Sequence, residues 1–97
     1  MDQTIIWSQR AVGSLDKLMR YLADHHGEDY ASRYHDALQN RLAQTARYPD
    51  SMGTPNAKRP GTRRVIFDRY IYIIYRKAQN GIEIKDIMHY KMSKRGF

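Results

Sequence analysis

The chain has 97 residues, enough for one domain spanning 1–97 with a thin core, since a domain of this size buries roughly two thirds of its unfolded surface. It has no cysteine, which excludes disulfides, zinc–thiolate sites and a thiol nucleophile, and no apolar run approaches the ~18 residues that a membrane-spanning helix needs. The net charge of +7 is unevenly placed: residues 58–97 hold eleven Lys and Arg against three acids, a net of +8, while residues 1–57 sum to −1. Such a field draws polyanions or an acidic partner.

Residues 4–7 (Thr4, Ile5, Ile6, Trp7) form a short β-prone run. Ser8 follows as a helix N-cap, because its hydroxyl can accept from a backbone amide of the first turn. Ala11, Leu15, Leu18, Met19 and Leu22 then recur at spacings of three and four, the apolar face of a helix. Gly27 stops that helix, and Glu28 and Asp29 open a second one where acids suit the helix dipole. Ala31, Tyr34, Leu38 and Leu42 continue the stripe as far as Pro49, so the two helices make an antiparallel hairpin.

Residues 48–61 read as a loop, with Pro49, Gly53, Pro55, Pro60 and Gly61 close together. Strands follow. Residues 62–67 alternate Arg63, Val65 and Phe67 against Arg64 and Ile66, and residues 70–76 alternate Ile71, Ile73 and Tyr75 against Tyr72, Ile74 and Arg76. Asn80 and Gly81 predict a two-residue turn in which both positions take positive φ. In the last strand Ile82 and Ile84 share one parity and Ile87 the other, so a bulge near Lys85 and Asp86 is expected. The predicted fold is α+β in the order β-α-α-β-β-β, with the hairpin packed on one face of an antiparallel sheet.

These pieces, taken in order, resemble the RelE/ParE toxin superfamily along nearly the whole chain. The residues that carry the likeness are Trp7-Ser8, Tyr21-Leu22-Ala23-Asp24, Ala31 with Ala37-Leu38 and Leu42, and Pro49 with Gly53. Further on they are Gly61-Thr62-Arg63-Arg64, Tyr72-Ile73-Ile74-Tyr75-Arg76, and Ile84 with Ile87-Met88-His89. The resemblance implies the toxin of a bacterial type II toxin–antitoxin pair, neutralised by a cognate antitoxin through which the complex binds its operator DNA. The family offers two targets. ParE-like members inhibit DNA gyrase; RelE-like members cut messenger RNA on the ribosome. For a nuclease, the resemblance assigns catalysis to Arg64, Arg76, His89 and Lys91, with Tyr90 the nearest tyrosine. Arg64 and Arg76 would clamp phosphate and His89 would move the proton. Tyr72 stands where the nucleases carry a third-strand arginine, and the long hairpin with Pro49 and Gly53 looks more like ParE. The preferred expectation is therefore gyrase inhibition, with Arg63, Arg64, Lys94, Arg95 and Phe97 as target-binding residues. A plain nucleic-acid-binding module, or an inactive family member, is the third reading.

Several of these residues have a simpler reading. Arg76 can pair with Glu83 across the predicted turn, His89 can be an ordinary half-buried strand residue, and tyrosines suit a sheet on propensity alone. His25, His26 and His35 lack the partners and spacing of a metal site, so neither metal nor cofactor is expected. The opening MDQTIIWSQR has neither the basic start nor the apolar stretch of a signal peptide, so the expected location is cytoplasmic, without membrane contact.

Overall fold

The computed structural model describes residues 3–89. In chain order its elements are β1 (Thr4–Trp7), α1 (Gln9–His26), α2 (Glu28–Arg47), β2 (Thr54–Pro55), β3 (Arg63–Ile66), β4 (Ile71–Ala78) and β5 (Gly81–His89). The strands form one sheet in the order β1-β5-β4-β3-β2. The fold is α+β as the sequence predicts, with two differences. A two-residue strand, β2, lies inside the expected loop and pairs with β3, and β1 joins β5 in parallel, so the sheet is mixed rather than wholly antiparallel. The parallel edge follows from connectivity. The helical hairpin lies between β1 and the remaining strands, so β1 reaches the sheet by a crossover rather than a tight turn.

Ser8 starts α1 as predicted: its hydroxyl accepts from the Ala11 amide at 3.1 Å and donates to the Lys85 carbonyl at 3.0 Å. One side chain thus caps a helix and ties it to β5. Such caps contribute about 1 kcal/mol. Gly27 alone joins the helices, ending α1 and beginning α2 at φ 91° and ψ 161°. That conformation is essentially restricted to glycine. Ala11, Leu18 and Leu22 from α1 pack with Ala31, Leu38 and Leu42 from α2 in the core. Thr45, also buried, satisfies its hydroxyl by donating to the Arg41 carbonyl at 2.8 Å.

Ile71, Ile73 and Tyr75 of β4 turn to this core with Ile82, Ile84 and Ile87 of β5, Val65 of β3, and partly buried Ile5 and Trp7 of β1. The expected bulge is present. Ile74 pairs with Asp86 and Tyr75 with Ile84, which leaves Lys85 as the extra residue. One inserted residue restores Ile87 to the buried face. Asp86 is buried there, its Oδ1 accepting from Ser14 Oγ at 2.6 Å and from the Ile87 amide at 2.8 Å, its Oδ2 from Arg10 Nε at 2.8 Å.

The β4–β5 turn corrects the expectation. Its two residues are Gln79 and Asn80; Gly81 already pairs with Ala78 as the first residue of β5. Only Asn80 takes positive φ, at 63°. Gly81 is needed for another reason: a Cβ there would overlap the Thr4 backbone of β1.

Candidate functional site: the basic sheet face and the loop that borders it

Register decides which of the sequence-predicted residues can act together. Arg64 pairs with Ile74, and Arg76 lies two residues further along β4, so the two arginines share the sheet face away from the hairpin. His89 pairs with Ile71, a core residue, and belongs to the hairpin side. The sheet therefore separates His89 from Arg64 and Arg76.

Arg76 is already engaged. Its Nε donates to Glu83 Oε1 at 2.6 Å, and Lys85 Nζ lies 3.6 Å from Glu83 Oε2. The Arg76 hydrogen bond is the main cause holding the Glu83 carboxyl below its ordinary value of 4.5. This is the cross-strand pair that the simpler reading expected. Arg64 is exposed, with its guanidinium 5.4 Å from the centre of the Tyr72 ring, a cation–π arrangement. Tyr72 thus serves as the platform for this arginine.

Arg63 points to the core side and works within the fold. Its Nη2 donates to the carbonyls of Asp50, at 2.8 Å, and Gly53, and its Nε donates to Tyr75 Oη at 3.3 Å. Tyr75 Oη in turn donates to the Pro49 carbonyl at 2.7 Å, and Lys77 Nζ meets Asp50 Oδ2 at 3.0 Å. Pro49 and Gly53, noticed in the sequence as a pattern, are therefore the two ends of a loop latched to β3 and β4. Gly53 lies so close to the Arg64 backbone that a Cβ would overlap it.

His89 stacks on Tyr70 with ring centres 5.7 Å apart and planes 4° from parallel. Both rings border an open cavity of about 360 Å³ between the hairpin turn and the β3–β4 turn, together with Leu18, Leu22, Tyr30 and Tyr34. Asp68 organises that turn: its Oδ1 accepts from the amides of Tyr70 and Ile71 at 2.8 and 2.9 Å, and its Oδ2 accepts from Tyr34 Oη. Burial, followed by the bond to Asp68, pushes the Tyr34 hydroxyl far above the ordinary tyrosine range. Asp68 is a short-range signal the sequence reading passed over. An aspartate two and three residues before accepting amides is a common turn device.

No group of three or more His, Asp or Glu among the described residues could hold a metal ion. No helix among them is long and apolar enough to cross a membrane. Lys91, Lys94, Arg95 and Phe97, with Tyr90, lie outside the described residues.

Residues 5–93 match the family described as the ParE toxin of the type II toxin–antitoxin system parDE. The chain belongs to the ParE toxin family. It is thus a toxin of the type II toxin–antitoxin class, whose cognate partner is an antitoxin. No curated protein matches it. Among solved structures it is similar to a chain of the chromosomal ParDE toxin–antitoxin system from P. aeruginosa, with a TM-score of 0.77 and 18% identity over 90% of this chain and 95% of that one. At that identity the likeness speaks for the shared fold. Among the described residues, Arg64 and Arg76 share one face of the sheet and His89 lies on the other.

Proposed function

We propose that this ParE-family toxin arrests growth by inhibiting DNA gyrase, as a binding inhibitor without chemistry of its own. The observation that carries the reading is the separation just described. Metal-free RNA cleavage needs a phosphate clamp and a proton carrier at the same scissile bond. Here Arg64 and Arg76 lie on one side of the sheet and His89 on the other, and Arg76 is held by Glu83. Arg64 is the described residue best suited to meet a target, being exposed and oriented by Tyr72. Lys94, Arg95 and Phe97 complete the proposed target-binding set.

The antitoxin fits the same reading. The cavity beside the hairpin turn offers Leu18, Leu22 and tyrosine rings to an inserted side chain, and the strongly basic second half of the chain favours an acidic partner. The toxin acts in the cytoplasm, and the complex binds operator DNA through its antitoxin. The test is a supercoiling assay with purified gyrase, combined with trapping of cleaved DNA–gyrase complexes. Inhibition with accumulating cleaved DNA is expected at micromolar toxin. A preparation that still arrests growth in cells, but leaves gyrase untouched, refutes the proposal.

A further inference from the structure

The cavity of about 360 Å³ beside the hairpin turn has three kinds of lining. Leu18, Leu22 and Ile71, all buried, supply an apolar side. Aromatic rings border it from two directions, His26, Tyr30 and Tyr34 on the helices and Tyr70 and His89 at the ends of the strands. Asp68 contributes a carboxylate. An apolar cavity of this size with few polar groups is the usual make-up of a small-molecule site.

The rings are held before any ligand arrives. Tyr30 lies with its centre 4.7 Å from that of His26 and 6.2 Å from that of Tyr34. Tyr34 in turn meets Phe67 edge-on, at 5.1 Å and 78°. A further aromatic ring gains from such a lining whether it meets ring faces or ring edges, because offset-stacked and edge-to-face arrangements are both favourable. Side chains already fixed by their neighbours lose little freedom on binding.

Asp68 sets the polarity. Its Oδ1 accepts from the Tyr70 and Ile71 amides and its Oδ2 from the Tyr34 hydroxyl. A carboxylate has about four acceptor sites, so these bonds leave one, on Oδ2. All of these donors are neutral, and among the described residues no cation pairs with Asp68. The charge therefore favours a ligand that donates and repels one that is acidic.

We propose that this cavity binds a small, flat heteroaromatic molecule carrying an N–H donor, its ring among the tyrosines and its donor on Asp68. The inference concerns the free toxin and stands whichever target the toxin has.

The test uses the full chain with indole as the probe, followed through the backbone amides by NMR. Saturable shifts are expected at Tyr70 and Ile71 at millimolar indole. N-methylindole, of the same shape but without the donor, and indole carboxylate should each bind about tenfold more weakly. Asp68→Asn keeps an oxygen for the two turn amides but loses the charge, and should weaken indole binding about tenfold. Tyr30→Ala, at a ring that is 40% exposed, should cost about fivefold, while Tyr48→Ala, at the far end of α2, should stay within about twofold. No saturable shift at Tyr70 and Ile71, equal binding of N-methylindole, tighter binding of the carboxylate, or equal losses at Tyr30 and Tyr48 would each overturn the proposal.

Discussion

Replacing Asp86 by alanine tests whether the β5 bulge is held by its own carboxylate. Asp86 is only 2% exposed, and its oxygens accept from Ser14 Oγ, the Ile87 amide and Arg10 Nε. The three partners do not contribute equally. The Arg10 side chain is 68% exposed and rehydrates when its partner is lost, so the ion pair itself contributes about 0–1 kcal/mol. The Ile87 amide is buried and has no water to turn to, and an orphaned buried donor costs about 1–3 kcal/mol. Ser14 loses a bond to a charged acceptor but can rotate its hydroxyl. Together these losses give a destabilisation of about 2–4 kcal/mol, a large part of the ~5–15 kcal/mol total expected of a small domain.

Urea unfolding followed by the fluorescence of Trp7, the only tryptophan and the register partner of Ile84, measures this directly. The midpoint should fall by about 1–2 M at unchanged slope, given slopes of ~1–3 kcal/mol/M for small proteins. Asp86→Asn keeps an acceptor for the Ile87 amide and should lose about half as much. Arg10→Ala should lose less than about 1 kcal/mol. If Asp86→Ala and Arg10→Ala match within about 0.5 kcal/mol, the carboxylate does not hold the bulge and the reasoning fails.

Tyr75→Phe should destabilise by about 1–3 kcal/mol, because it strips the Pro49 carbonyl of its donor and Arg63 Nε of its acceptor; amide hydrogen exchange should quicken first in residues 49–53. Gly27→Ala should lose about 1–3 kcal/mol from its positive φ, whereas Gly13→Ala, with open space at its Cβ inside α1, should gain roughly 0.5–1 kcal/mol; thermal melts of the pair separate conformation from packing. Glu83 supplies a pH test. Its carboxyl is held below 4.5 chiefly by Arg76, so its stabilising share is present above that value and is lost as pH falls through the lower folded-state value. Arg76→Ala should move the Glu83 midpoint upward in an NMR titration, and an unmoved midpoint would contradict the assigned cause.

Local signals carried far in this chain. Ser8, Gly27 and the stripes through Leu18, Leu22, Leu38 and Leu42 determined both helices, because caps and 3.6-residue periodicity act within a few residues. The parity slip between Ile84 and Ile87 gave away the bulge, since a buried face tolerates no change of phase without an inserted residue. The same alternation placed Val65, Ile73 and Tyr75 in the core.

Pairing between distant segments was decided only in three dimensions. That β1 runs parallel to β5, and that Gly81 is glycine because Thr4 presses against it, depend on residues some seventy-seven positions apart. The contacts of the arginines were decided in the same way. Sequence offered Arg63 and Arg64 for target binding, Arg64 and Arg76 as phosphate clamps, and Glu83 as a simpler partner for Arg76. Tertiary structure spends Arg63 on the loop, pairs Arg76 with Glu83, and rests Arg64 over Tyr72. Charge and residue type are properties of a position in the sequence. Whether a charge is satisfied by the fold or left for a partner depends on which distant groups the packing brings within a few ångströms of it.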